Sequence, residues 1–259
     1  MFAKLAPWLV FVVLASAGVG GVAVWVVTHP VSVTVSVSSD SLPPPPAYAG
    51  PVPVGPNDTA PAVGGPVAAA NQVSGWAAQM ALATGIPARP LQAYAQADRT
   101  MAAEHPNCHL NWSTLAAIGS VESNHGRHGG ASVAGDGRIT PPIIGPVLDG
   151  SDGNKAIRDT DGGTLDGDKT WDRAVGPMQF IPSTWAHWGA RANSDGNRPD
   201  PQNIDDAALA AARYLCAGGR DLGSGTGWWQ AVLSYNNTTE YAQLVYTTAQ
   251  RYGQASLRR

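Results

Sequence analysis

Glutamate is scarce: the 259 residues contain only Glu104, Glu122 and Glu240. Basic blocks are missing as well, and the formal charge is −3. A nucleic-acid binder carries a basic face, which speaks against that class. Cysteine is limited to Cys108 and Cys216. Outside a membrane such a pair is expected to be a disulfide rather than a metal site or redox centre, with two free thiols as the alternative. Closing so long a loop would stabilise the fold by about 4–5 kcal/mol in the chain-entropy model.

Only one stretch is continuously apolar. Residues 5–27, LAPWLVFVVLASAGVGGVAVWVV, have Ser16 as their single polar side chain and follow Lys4. That length crosses a bilayer as a helix. The alternative is a cleaved signal peptide, because "ASA" at 15–17 resembles a cleavage site. Apolar residues continue to Val27, beyond the usual signal core of about 7–15 residues, so residues 1–27 are read as an uncleaved transmembrane anchor. Either alternative places the rest of the chain outside the cell membrane, with Lys4 on the cytoplasmic side. Residues 28–73 are rich in proline, glycine, serine and alanine and lack helical periodicity. They are read as a disordered linker with a reach on the order of 100 Å. "VSVTVSV" alternates as a strand would, without an evident partner.

Residues 74–259 suffice for one well-buried domain, and the pattern predicts mainly α structure. Apolar spacing near 3.6 recurs in "VSGWAAQMALATG", "RPLQAYAQADRTMAAEH", "NWSTLAAIGSVES", "NIDDAALAAARYL" and "TGWWQAVLSY". Asn203 is the expected N-cap of the fourth, with Asp205 and Asp206 capping or solvated in its first turn. A last helix is expected after Asn237, with Glu240 closing a capping box. Glu104 falls at an exposed helix end. Glu122 is different: Leu115, Ile118 and Glu122 share one stripe, so a carboxyl lies on an apolar face, where it is expensive unless paired or functional.

Residues 129–172 hold ten glycines and eight aspartates. Loops of that length are often functional, and a solvated, glycine-hinged flap is expected. Calcium could bind its carboxylates, but the spacing departs from the EF-hand pattern. His125 and His128 have H-x-x-H spacing without a further ligand, so they are read as surface histidines, and no metal site is assigned.

Three motifs occur in order: Glu122-Ser123 at a helix end, "GPMQFIPSTW" at 176–185 and "SYNNTTEY" at 234–241. Together they resemble the lysozyme-like lytic transglycosylases, most closely the membrane-bound lytic transglycosylase B type, over roughly residues 74–259. The resemblance implies a lysozyme-like helical domain with Glu122 as the single catalytic acid/base. It implies substrate contacts from Gln179, with Met178 and Phe180 beside it, and from Tyr235, Asn236 and Tyr241. Thr170 matches loosely a residue whose hydroxyl orients the glutamate. The calcium loop of one family member is altered here. "NSDGNRPDPQNIDD" keeps Asn193, Asp195 and Asn197, but Arg198 replaces the turn glycine and no glutamate closes the loop. No cofactor is therefore expected.

A single glutamate constrains the chemistry, since most glycosidases need two carboxyl groups. An N-acetyl sugar supplies its own nucleophile in the substrate-assisted exception. The expected reaction is cleavage of the bond between N-acetylmuramic acid and N-acetylglucosamine, leaving a 1,6-anhydro ring. The expected partners are peptidoglycan strands and, through the anchor, the membrane. The alternatives are a goose-type lysozyme-like hydrolase and a non-catalytic wall-binding module. Trp171, Trp185, Trp188, Trp228 and Trp229 could stack on sugars, but core packing is expected for most of them.

Overall fold

The computed structural model describes residues 42–46, 52, 66–193 and 195–258. The anchor expected at 1–27, the "VSVTVSV" segment and most of the linker lie outside these residues. Among the described residues, no helix is long and apolar enough to cross a membrane.

The architecture is mainly helical, with seven α-helices among the described residues: α1 (Pro66–Thr84), α2 (Ala88–Glu104), α3 (Trp112–Ser123), α4 (Pro182–Trp188), α5 (Ile204–Leu215), α6 (Gly225–Tyr235) and α7 (Thr239–Leu257). Helix α1 begins inside the stretch read as linker, and Val73 of that stretch is buried in the core. The globular part thus starts earlier than its composition suggests. Helix α4 is too short for its apolar residues to show a helical period; Pro182 starts it, where a missing N–H is harmless.

Helix α3 is the axis of the domain. Residues Trp112 to Gly119 are buried on every side, as expected of a helix enclosed by others. Helices α2 and α7 pack against it. Small side chains bring α2 and α5 together, with Ala93 and Ala97 on one and Ala207, Ala208 and Ala211 on the other buried in the same core. Cys108, just past α2, is bonded to Cys216 at the end of α5, with a Cα–Cα distance of 5.5 Å. The expected disulfide therefore staples the C-terminal ends of two packed helices.

Asn203 caps α5 as expected, accepting from the Asp205 N–H at 2.9 Å. The two aspartates of its first turn are not merely solvated. Asp205 pairs with Arg89, while Asp206 is buried and accepts from the backbone of Ala192 and Asp200 and from Arg191 Nη1. Arg191 also binds Asp195 with two nitrogens, at 2.8 and 2.5 Å. In this loop a fixed guanidinium neutralises two carboxylates.

The 129–172 segment is folded, not an uninterrupted flap. Strands β1 (Ser132–Val133) and β2 (Ile139–Thr140) pair antiparallel, as do β3 (Ile144–Val147) and β4 (Arg173–Val175). The aspartates organise what lies between. Asp159 Oδ1 accepts from the N–H groups of Asp161, Gly162 and Gly163, and buried Asp172 accepts from the N–H and hydroxyl of Thr160. Side-chain carboxylates take the place of a ladder as partners for backbone donors.

Candidate active site

Helix α3 ends abruptly. Asn124 caps it in the left-handed region at φ 51°, and His125 and Gly126 follow at φ 60° and 78°. Glu122 therefore projects from the last turn, where the negative end of the helix dipole disfavours an ionised carboxylate. Its neighbour Ser123 is buried and holds the reversal in place. The Ser123 hydroxyl donates to the Pro177 carbonyl at 2.6 Å and accepts from the Gly126 N–H at 2.8 Å.

The Pro177 contact brings in the second motif. Val175 and Phe180 exchange both backbone hydrogen bonds, at 2.8 and 3.0 Å, so residues 176–179 form a tight reversal. Gly176 is required there, at φ 78°, because a Cβ would lie 1.9 Å from the Pro201 carbonyl oxygen. Gln179 closes the turn at φ 50°, with its side-chain amide donating to the Gly176 carbonyl at 2.9 Å. Met178 is buried beneath, its sulfur facing Gly119 of α3, where an added Cβ would meet it at 3.3 Å. Gly119 lies one turn before Glu122, so the reversal abuts the same side of α3. Strand β3 closes in from the other direction, since a Cβ on Gly145 would meet Gln179 Oε1 at 2.7 Å.

The third motif completes the group. Tyr235, at the end of α6, donates to the Met178 carbonyl at 2.7 Å and packs edge-on against Phe180, which is itself buried. Tyr241, near the start of α7, donates its phenol proton to Glu122 Oε1 at 2.5 Å. Thr238 is the N-cap of α7, accepting from the Tyr241 N–H at 3.3 Å, so the expected capping box at Asn237 and Glu240 is off by one residue. Asn236 is half-buried at the end of α6, and its carboxamide has no protein partner among the described residues.

Burial pushes the Glu122 carboxyl up to about 7, and the Tyr241 hydrogen bond opposes the rise. No second carboxylate contributes to it. Both phenols are pushed well above the ordinary tyrosine value, first by burial and then by the Glu122 charge, which marks the three groups as electrostatic neighbours. Glu122 is half-buried, so one side of it still meets solvent. A group held near neutrality in such a setting can give and retake a proton.

Three expectations are corrected. Met178 and Phe180, expected beside the substrate, are packed in the core at 0% and 3% exposure and offer it no surface. Thr170 is exposed within the insertion, its N–H on Asp168 and its carbonyl accepting from Asp159. The hydroxyl on Glu122 comes from Tyr241. His125 is buried, not on the surface: its ring nitrogens lie 3.2 Å from the Tyr94 hydroxyl and 3.1 Å from the Tyr252 hydroxyl. Burial, with help from Arg127 and Arg251, pulls its pKa down to about 3, so the ring is neutral and ties α2, α3 and α7 together behind Glu122. The local sequence "SNHGRH" resembles a surface turn and gave no sign of this.

Asp98 was also missed. It accepts from the first N–H of α3 at 2.9 Å, and burial raises it to about 7. At 1.5 Å per residue, ten residues of helix put it about 15 Å from Glu122. Paired glycosidase carboxyls stand roughly 5–9.5 Å apart, so Asp98 is not a second partner.

Elsewhere, Asp159, Asp161 and Asp172 bring one carboxylate oxygen each within 4.8 Å of one another and could hold a cation. Two of them already receive the N–H donors described above. A cavity of about 560 Å³ opens beside the disulfide, lined by Trp188, Arg213 and Arg220 among others, and includes none of the Glu122 group. Trp185, Trp228 and Trp229 are core residues, and Trp171 is covered by the Arg158 guanidinium at 3.9 Å. Comparison of the chain with protein families, curated proteins and solved structures finds no match.

Proposed function

We propose that this chain is a lysozyme-like lytic transglycosylase that cleaves peptidoglycan strands outside the membrane, with Glu122 as its one acid/base. The observation that carries the reading is a solitary, half-buried carboxyl raised to about 7, bonded to Tyr241 and bordered by the 176–180 reversal. The disulfide agrees with an oxidising compartment, which the anchor expected at 1–27 would provide.

In this reaction protonated Glu122 gives its proton to the glycosidic oxygen. As the bond to C1 breaks, the carbonyl oxygen of the substrate's own 2-acetamido group attacks C1 and holds the positive charge. The C6 hydroxyl of the same sugar then displaces that oxygen at C1, and the Glu122 carboxylate takes the hydroxyl proton. The 1,6-anhydro ring is formed, the acid is regenerated and no water is consumed. The free carboxamide of Asn236 and half-buried Gln179 are the groups offered to orient the acetamido group, the positioning on which cyclisation depends. Tyr241 keeps the carboxyl aimed and supports its ionised form in the second step.

Mass spectrometry of products from purified sacculi tests the reading. Products carrying 1,6-anhydro ends are expected. Products uniformly one water heavier would instead make the chain a hydrolase. Glu122→Gln should slow cleavage on the order of a thousandfold; clearance by this variant at the parent rate would overturn the assignment, and binding without cleavage by either protein would leave a glycan-binding module.

A further inference from the structure

Residues 42–46 read as part of the linker, yet they lie on the domain. The Trp229 indole N–H donates to the Pro43 carbonyl at 3.1 Å, and Leu42 packs against the core. Gly225, the first residue of α6, makes the approach possible: a Cβ there would stand 2.8 Å from the Pro43 carbonyl oxygen and 3.5 Å from Pro44 Cα. Trp229 is buried and stacked on Tyr246 of α7, with centroids 5.5 Å apart and planes 21° from parallel. Farther along, Val52 is 4% exposed, within the same core. Four successive prolines are pre-set for the polyproline II helix, which carries no internal hydrogen bonds and leaves its carbonyls free. An aromatic floor with one indole donor is the usual receptor for such a segment.

We propose that the Trp229–Tyr246 face of α6 and α7 is a polyproline-binding groove whose occupant is the chain's own 42–46 segment. Docking there moves the mechanical attachment of the domain from the start of α1 to the start of α6. The Tyr235 end of α6 lies ten residues away, about 15 Å along the helix axis. The domain is thus held at the end of α6 remote from Glu122, and the candidate site faces away from its tether. The proposal is independent of the enzymatic reading.

Fluorine NMR of the full chain labelled with 5-fluorotryptophan tests it, with the Trp229 resonance assigned by Trp229→Phe. In the parent this resonance should show no solvent isotope shift. Gly225→Ala, which would ordinarily favour a helix start, should move the resonance and expose it to solvent. Deletion of residues 42–46 should do the same, and a free Leu-Pro-Pro-Pro-Pro peptide should return it toward its original position. The remaining tryptophan resonances report that each variant is folded, and cleavage of soluble glycan should stay within twofold of the parent. A Trp229 resonance unmoved by the deletion or by Gly225→Ala, or one that the added peptide does not return, would overturn the proposal.

Discussion

Glu122 and the aspartates of the insertion carry the same functional group and have opposite electrostatics. Asp159 and Asp168 are held below the usual carboxylate range, chiefly by backbone N–H donors: that of Asp161 for the first, that of Thr170 for the second. Glu122 has burial, a helix C-terminus and a single phenol, and it is driven up to about 7. A carboxylate surrounded by N–H donors serves as scaffolding, because its charge satisfies the backbone. A buried carboxyl with few donors keeps a proton it can give away. Burial first and then the supply of donors, not residue type, separate the two roles.

Glu122→Gln tests that separation most severely. It should reduce glycan cleavage on the order of a thousandfold, within the span for a lost general acid, measured by release of soluble muropeptides. Reduction of Cys108–Cys216 should come next, lowering unfolding free energy by about 4–5 kcal/mol in denaturant titrations while leaving the pH profile of any cleavage by the remaining folded protein unchanged.

The pH dependence of stability sharpens the comparison further. Glu122 keeps its proton to about pH 7 when folded and loses it nearer 4.5 when unfolded, so the folded chain binds more protons in between. Its stabilising contribution is complete below the unfolded value and is lost as pH rises through 7. Relative to the parent, Glu122→Gln should therefore gain about 3 kcal/mol above neutrality. Urea titrations at acidic and alkaline pH check this; equal differences at both would show that Glu122 is not shifted.

Asp172→Asn should loosen the insertion by about 1–3 kcal/mol, because a buried acceptor of two Thr160 donors is weakened, without moving the alkaline limb of activity. Tyr241→Phe should do the reverse. With the donor that lowers Glu122 removed, the alkaline limb should move upward by about one pH unit, with little change in melting temperature.

The helical frame was legible because apolar periodicity records burial directly: α2, α3 and α5 begin within one residue of the sequence patterns that predicted them. Glu122 stood out for the same reason, as a charge on an apolar stripe. The insertion was not legible, because its order comes from carboxylates bonded to nearby N–H groups, and the same composition describes a solvated loop. His125 was misread because burial of a polar turn depends on Tyr94 and Tyr252, distant in sequence. The docked prolines were misread because composition alone cannot reveal that Gly225 and Trp229 wait for them.

The one-residue shift of the α7 cap has a wider consequence. Thr238 fixes where the helix starts, and the start fixes the azimuth of Tyr241. Adding or removing one residue between Asn236 and Thr238 would rotate every α7 side chain by about 100° about the axis, swinging the phenol off the carboxyl while leaving both residues intact. The length of that short connector is therefore a dial on the acidity of Glu122, adjustable without altering Glu122 or Tyr241.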